Sequence, residues 1–266
     1  MLELAARNSE KSRVLALLAL LNNIPQPLTY VDVGARGGVG NPFVHMLSEE
    51  GKLRLVGFDA DAAACAELRQ AHPRNIWMDC GVGDVDGQLP FYHVPRGWAS
   101  SFLEPDMEFF TDEGFRKDMV VTHRTTLPVR RLDSLIAEGK VPTPDFLKID
   151  AQGFELNVLQ GLGEQLKNVL GVQLEGQLRR LYKGQALFPQ LYEFMRSKGF
   201  LLRDLRPVNP LFYEIFEVDA FFSPDPRTVG ERFLPLKVWE LLHDVPPGRA
   251  INYDAQGRVS LPTLHL

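Results

Sequence analysis

Short apolar runs alternate with amphipathic stretches through the first eighty residues of the chain. The β-branched and aromatic run over 29–34 and the apolar run over 53–58 read as parallel strands buried on both faces. Between them, Val39 to Gly51 reads as a helix with Pro42 in its first turn. A second helix is predicted over 62–71, closed by His72 and Pro73, and a third strand over 75–78. Strands and helices alternating at such short intervals predict a doubly wound parallel sheet. The pattern resumes at 145–150, followed by a glycine turn at Gln152-Gly153, a helix over 154–162 and a strand over 169–174 that ends at Glu175. A helix over 187–198 stops at Gly199. Strands over 200–205 and 212–222, joined through Pro207, Asn209 and Pro210, suit an antiparallel pair.

The rest is less regular. Residues 2–22 read as a helix delivered to the first strand by Pro25 and Pro27. Residues 84–94 predict a small hairpin, with a turn over 84–87 and Leu89, Phe91 and His93 alternating along one face. Residues 95–124 form a long insertion, a candidate substrate lid. Thr125 to Arg130 leads into a helix for which Asp133 is the expected N-cap. The tail over 224–266 predicts a helix near 235–243 and a turn over 254–257.

The corner after the first strand carries the chemistry. Asp32 precedes Gly34, Gly37, Gly38 and Gly40, and glycine lets a ligand lie against the main chain. Ligands of open α/β sheets sit beyond the carboxyl ends of the strands. A dinucleotide fingerprint needs glycine where Arg36 stands, and no G-K-[ST] of a phosphate-cradling loop is present. An acid at this corner repels a pyrophosphate and suits a cation. S-adenosylmethionine (SAM) fits, with a sulfonium, an ammonium and no phosphate. A turn that merely packs a helix on a sheet is the plainer reading of the same glycines.

Other strand ends add to this corner. Asp59, with Ala60, lies where an acid accepts both ribose hydroxyls of an adenosine. Asp79 to Val82, including Gly81, would border the adenine. Asp150 would face Gly34 across the switch point, near the transferable methyl. It could orient or deprotonate a substrate hydroxyl, hold the ligand amine, or bind a divalent metal with Glu155 and Glu175. Against these readings, Glu155 at a helix start only complements the dipole, Glu175 is a solvated strand end, and Lys148 is the edge of the pleat. His123 and His93 are alternative bases.

Composition narrows the class. The net charge of −5 argues against nucleic acid as a main partner, although Arg130-Arg131 and Arg179-Arg180 are locally basic. Two cysteines, Cys65 and Cys80, build no disulfide framework and predict a reducing, cytoplasmic setting; neither has the spacing of a zinc site. The apolar run Val14 to Leu21 follows Lys11 and Arg13 as in a signal peptide. Glu3 and Glu10 lie upstream, however, and no small-residue cleavage site follows, so a packed helix is expected. That run is too short to span a bilayer.

Several blocks resemble the FkbM-family methyltransferases: Asp32-Val33-Gly34-Ala35, Gly57-Phe58-Asp59-Ala60-Asp61, Gly81-Val82-Gly83-Asp84 with Gly87, Ser100-Ser101, Arg131-Leu132-Asp133-Ser134-Leu135, and Leu147-Lys148-Ile149-Asp150-Ala151-Gln152-Gly153-Phe154-Glu155 with Leu159-Gln160-Gly161. The likeness covers residues 29–222. It implies a class I (Rossmann-like) methyltransferase fold: a doubly wound, mostly parallel seven-stranded sheet with one antiparallel strand. It also implies O-methylation of a sugar or other small hydroxylated metabolite or glycan. On this reading residues 29–223 are the SAM-dependent domain, and 1–28 and 224–266 are extensions that shape the acceptor site or an oligomer contact. The expected donor-binding set is Asp32, Gly34, Ala35, Arg36, Gly38, Asp59, Ala60, Gly81, Val82 and Asp150; Asp150, Glu175 and His123 are the expected catalytic groups. This chain departs from the family's usual residues at Arg36 for Asn, Asp59-Ala60 for Glu-Pro, and Gln152 for Glu. The last weakens any metal site through that position. Two other readings stay open: an NAD-dependent oxidoreductase on the same sheet, which lacks a Tyr-x-x-x-Lys relay, and a non-catalytic scaffold of the same fold.

Overall fold

The computed structural model describes residues 2–110, 113–208, 214–246, 252–253 and 259–260. A helix α1 (Leu2–Leu21) precedes strand β1 (Leu28–Val33). The next four elements follow the local patterns: α2 (Pro42–Glu49), β2 (Leu53–Phe58), α3 (Ala62–Ala71) and β3 (Ile76–Met78). Asn41 caps α2 by accepting from the Phe43 and Val44 amides, with Pro42 at the first helical position, where its missing N–H costs nothing. Asp61 caps α3 in the same way.

Strands β4 (Gly81–Val82) and β5 (Gly87–His93) come next, then helix α4 (Glu113–Met119) and strand β6 (His123–Arg130). Helix α5 (Leu132–Ala137), strand β7 (Phe146–Ile149), helix α6 (Glu155–Gly161) and strand β8 (Gly171–Gln177) continue the alternation. Helix α7 (Phe188–Ser197), strands β9 (Phe200–Pro207) and β10 (Glu217–Pro224), helix α8 (Phe233–His243), and a short pair, β11 (Asn252–Tyr253) and β12 (Val259–Ser260), complete the chain.

The main sheet has seven strands in the order β3-β2-β1-β7-β8-β10-β9. All neighbours are parallel except β10, which is antiparallel to both β8 and β9. This is the mostly parallel sheet with one antiparallel strand that the resemblance implies. The order reverses between β1 and β7, which opens a crevice at their carboxyl ends.

Period-two alternation divides the buried strands between two cores. Val31 and Val33 of β1 join Leu135 of α5, Val158 of α6 and Leu191 of α7 on one face. Tyr30 joins Leu17 of α1, Leu47 of α2 and Trp239 of α8 on the other. Residues on both sides of 29–223 thus share the core of β1. A Cβ at Gly171 would lie 2.3 Å from the Trp239 ring, so the absence of a side chain there lets α8 sit flat on β8. Among the described residues no helix is long and apolar enough to cross a membrane.

Three local expectations are corrected. Residues 84–94 do not form a hairpin on themselves: β5 pairs with β6, from His93 opposite His123 to Gly87 opposite Val129, in a separate sheet of order β4-β6-β5. Asp133 is not the N-cap of α5. That position is Arg131, and Asp133 in the first turn accepts from the Arg131 guanidinium. Strand β8 runs two residues past Glu175, so Glu175 lies within the strand. The turn expected over 254–257, and residues 212–213 of the last expected strand, fall outside the described residues.

Candidate functional site

Gly34 makes the corner possible. It has φ +85°, and a Cβ there would lie 2.0 Å from the Asp150 carbonyl oxygen. Gly34 and Ala35 donate their amides to Phe58 O, and Asp150 donates to Val33 O. Three strand ends are therefore held together by main chain alone. A cavity of about 150 Å³ opens there, and of the expected donor-binding set Gly34, Arg36, Asp59, Ala60, Gly81, Val82 and Asp150 line it.

Asp32, Ala35 and Gly38 do not line this cavity. Asp32 is fully buried on the opposite sheet face, where Lys148 Nζ donates to its Oδ1 at 3.1 Å and Oδ2 has no partner among the described residues. Lys148 is therefore not a solvated pleat edge. It reaches Asp32 and also Asp150 Oδ2, at 3.7 Å. Burial raises the Asp32 carboxyl against the pull of Lys148. Burial also works against the Lys148 ammonium, but Asp32 and Asp150 outweigh it and hold the lysine protonated.

Asp59 Oδ1 accepts from the Asp61 amide at 2.8 Å, which turns the carboxylate toward the cavity mouth; burial raises its affinity for protons. Arg36 is the basic residue lining the cavity, and its charge is spent on Asp61 at 2.9 Å, with a further bond to Gly97 O.

Gln152 ties the opposite wall together. It holds φ +52°, rare for a side-chain-bearing residue and a form of strain that clusters at functional sites. Its Nε2 donates to Asp150 Oδ1 at 2.7 Å and to Glu175 Oε2 at 3.3 Å, and Tyr182 OH lies 2.8 Å from its Oε1. Gln177 Nε2 donates to the same Glu175 oxygen at 3.2 Å. Glu175 is thus no solvated strand end: burial first, then Asp150, raise its carboxyl well above the usual range. Glu155 turns inward and accepts from the Ala151 and Gly153 amides at 3.0 Å, with burial pushing it up to about 8. Asp150, Glu155 and Glu175 are not gathered within metal-binding reach of one another, and Gln152 Nε2 occupies the position between Asp150 and Glu175.

Residues 97–102 of the insertion fold back over the cavity. Ser101 Oγ donates to Gln152 O at 2.7 Å, Tyr92 and Ser101 form a bridge, and Trp98 lines the mouth with just over half its surface exposed. His123 is not brought to the site. It is exposed at the start of β6, its ring stacked on His93 at 4.0 Å between centroids.

Sequence reasoning did not single out Trp98, Tyr182 or the linking role of Gln152. A tryptophan between Gly97 and Ala99 in a polar insertion was the available signal for the first. The other two depend on contacts across the fold.

A second cavity, of about 510 Å³, lies on the Asp32 face between the sheet and the C-terminus of α8. Tyr30, Lys148, Gln173 and Asp219 form its floor. Asn41 Nδ2 and Arg206 Nη2 reach its rim by donating to the α8 carbonyls of Leu242 and His243 at 2.7 and 2.8 Å.

The profile described as the methyltransferase FkbM domain matches residues 32–202. No curated protein matches the chain. Among solved structures, similar folds include a TehB-like SAM-dependent methyltransferase from Corynebacterium glutamicum ATCC 13032, at 12% identity and TM-score 0.36, covering 84% of this chain and 97% of that one. The magnesium protoporphyrin IX methyltransferase ChlM from Synechocystis PCC 6803 is similar at 11% identity and TM-score 0.42, covering 84% and 82%. The N-methyltransferase NodS from Bradyrhizobium japonicum WM9 is similar at 11% identity and TM-score 0.38, covering 81% and 97%. With the family profile spanning more than half of its length, from Asp32 through the glycine corner and the Asp150 block to Leu202, the chain belongs to the FkbM methyltransferase family.

Proposed function

We propose that this protein transfers a methyl group from SAM to a hydroxyl of a sugar or other small hydroxylated metabolite. The observation that carries the reading is the contact of Gly34 with the Asp150 carbonyl, which leaves Asp59 and Asp150 lining one cavity whose basic residue, Arg36, is already paired. A donor set rich in carboxylate and poor in free cation fits a positively charged nucleoside and disfavours a phosphate. Bound SAM would supply an electrophilic methyl on a sulfonium.

The chain's own residues then have four tasks. Asp59 accepts the ribose hydroxyls. Gly81 and Val82 border the base. Asp150, held by Gln152 and Lys148, orients the acceptor hydroxyl, and alignment of this kind is worth about 7–11 kcal/mol of barrier. Glu175, joined to Asp150 through Gln152 Nε2, positions that carboxylate, and Asp150 takes the hydroxyl proton, a contribution of about 10²–10⁴-fold. An alcohol needs such a base, whereas a neutral amine attacks through a free lone pair, and this supports oxygen as the acceptor atom. The acceptor reaches Asp150 through the mouth of the same cavity, which Trp98 of the 95–124 insertion lines. Residues 29–223 act as the catalytic domain on this reading.

Calorimetry of the full chain with SAM and with its demethylated product tests the donor. Binding is expected for both, and Asp59→Ala is expected to abolish it. Isotope-labelled methyl transfer to a panel of sugars and other hydroxylated compounds tests the acceptor. Loss of turnover in Asp150→Asn with donor binding intact is the expected outcome. No affinity of the wild-type chain for either nucleoside overturns the proposal.

A further inference from the structure

Away from the two cavities, α2 and α3 bring three ligand-type side chains together. His45 and Glu49 stand four residues apart on α2, hence on one face of the helix, and His72 is the C-cap of α3. One donor atom from each lies within 4.8 Å of the others. His72 Nδ1 is 3.1 Å from Glu49 Oε1, and the His45 and His72 rings meet edge to face at 4.8 Å between centroids.

The residues around the cluster orient it. Trp77 Nε1 donates to His72 O at 3.1 Å and fixes the backbone that carries the ring. Asn75 Nδ2 lies 3.4 Å from Glu49 Oε1. Among the described residues the His45 ring nitrogens have no hydrogen-bond partner, which leaves a lone pair in the cluster. All three side chains are half-buried, so they remain reachable from solvent and free to adjust.

We propose that His45, Glu49 and His72 form a zinc-type divalent metal site that joins α2 to α3. Two imidazoles and one carboxylate are a borderline-soft set that suits Zn²⁺ with water as the fourth ligand. Metal–ligand bonds of about 2.0–2.1 Å in a tetrahedron put neighbouring donors about 3.3 Å apart. The His72–Glu49 pair already stands at that spacing, and side-chain rotation of His45 closes the remaining gap. The location gives the metal a structural role. Helix α2 is capped by Asn41, at the end of the glycine corner, and α3 by Asp61, just beyond Asp59. Tying the two helices together at their far ends fixes the relative position of the two turns at their near ends.

The test uses the full chain, freed of any affinity tag and stripped with chelator. Calorimetry with zinc chloride is expected to show one saturable site, and zinc is expected to raise the melting temperature. Cobalt(II) in the same site is expected to give the visible absorption of a tetrahedral ion without a thiolate charge-transfer band, which separates it from Cys65 and Cys80. His45→Ala, Glu49→Gln and His72→Ala are each expected to weaken zinc by more than about 100-fold, the upper end of what losing only an orienting partner costs. Each variant's zinc-induced shift is read against its own metal-free melting temperature, so a general loss of stability is seen separately. No saturable zinc binding, unchanged binding in the three variants, or a thiolate band overturns the proposal.

Discussion

Lys148→Met isolates the contact that sets the polar face of the sheet. In the native protein the lysine Nζ sits 3.1 Å from Asp32 Oδ1, and the aspartate is wholly buried. Removing the ammonium leaves a carboxylate shut off from solvent and without its counter-charge, a change that costs about 3–5 kcal/mol in buried pairs. The protein can escape part of this by protonating Asp32. Relative to an unfolded carboxyl near pKa ~3.9, staying neutral costs about 4 kcal/mol at pH 7 and about 1.5 kcal/mol at pH 5.

That escape fixes the pH dependence. In the variant the folded pKa of Asp32 is raised above the unfolded value. The associated stability is therefore present in full below pH ~3.9 and lost as pH rises toward the folded pKa. Urea denaturation of Lys148→Met from pH 5 to 8 is expected to show a deficit of about 3–4 kcal/mol at pH 7 that shrinks by more than half at pH 5. Adding Asp32→Asn removes the stranded charge and is expected to recover most of the loss. Asp32→Asn alone leaves Lys148 with Asp150 at 3.7 Å and is expected to cost less than Lys148→Met. A Lys148→Met deficit below about 1 kcal/mol at pH 7, the size of an exposed pair, or one independent of pH, refutes the reasoning.

Three further outcomes are expected. Gly34→Ala places a Cβ against the Asp150 carbonyl at φ +85°; strain alone costs about 1–2 kcal/mol, and loss of SAM binding in calorimetry should accompany the lower melting temperature. Glu155 has a folded pKa of about 8, above its unfolded value, so its stabilising share is present at low pH and lost as pH rises through about 8. Glu155→Gln mimics the neutral acid, and its melting temperature should gain on the wild type steadily from pH 5 to pH 8; a constant difference contradicts this. Gln152→Ala and Tyr182→Phe should lower kcat while leaving donor affinity within about twofold, because both act on the orientation of Asp150 and Glu175 rather than on the ribose end. Equal losses in kcat and donor affinity count against that division.

Element type was legible wherever the signal was local. The bounds of β2 and α3 coincide with the 53–58 run and the 62–71 stretch, because burial on both faces and an Asp cap write themselves into consecutive residues. The glycine corner was legible too, since Gly34 meets a constraint of its own backbone. The partner of β5 was not: β6 lies thirty residues on, and nothing within 84–94 distinguishes a distant partner from its own turn. Nor was the fate of Asp32, since its place at the end of a buried strand fits either a ligand or a lysine one strand away. Register set that outcome: Asp32 lies opposite Lys148 between β1 and β7. The sequence by itself determined an alternating sheet with an acid-flanked glycine corner, properties of neighbouring residues and their dihedral angles. Only the tertiary structure decided that Asp32 neutralises Lys148, that Gln152 joins Asp150 to Glu175, and that His123 stands apart, because those depend on which strands lie side by side and which face each side chain meets.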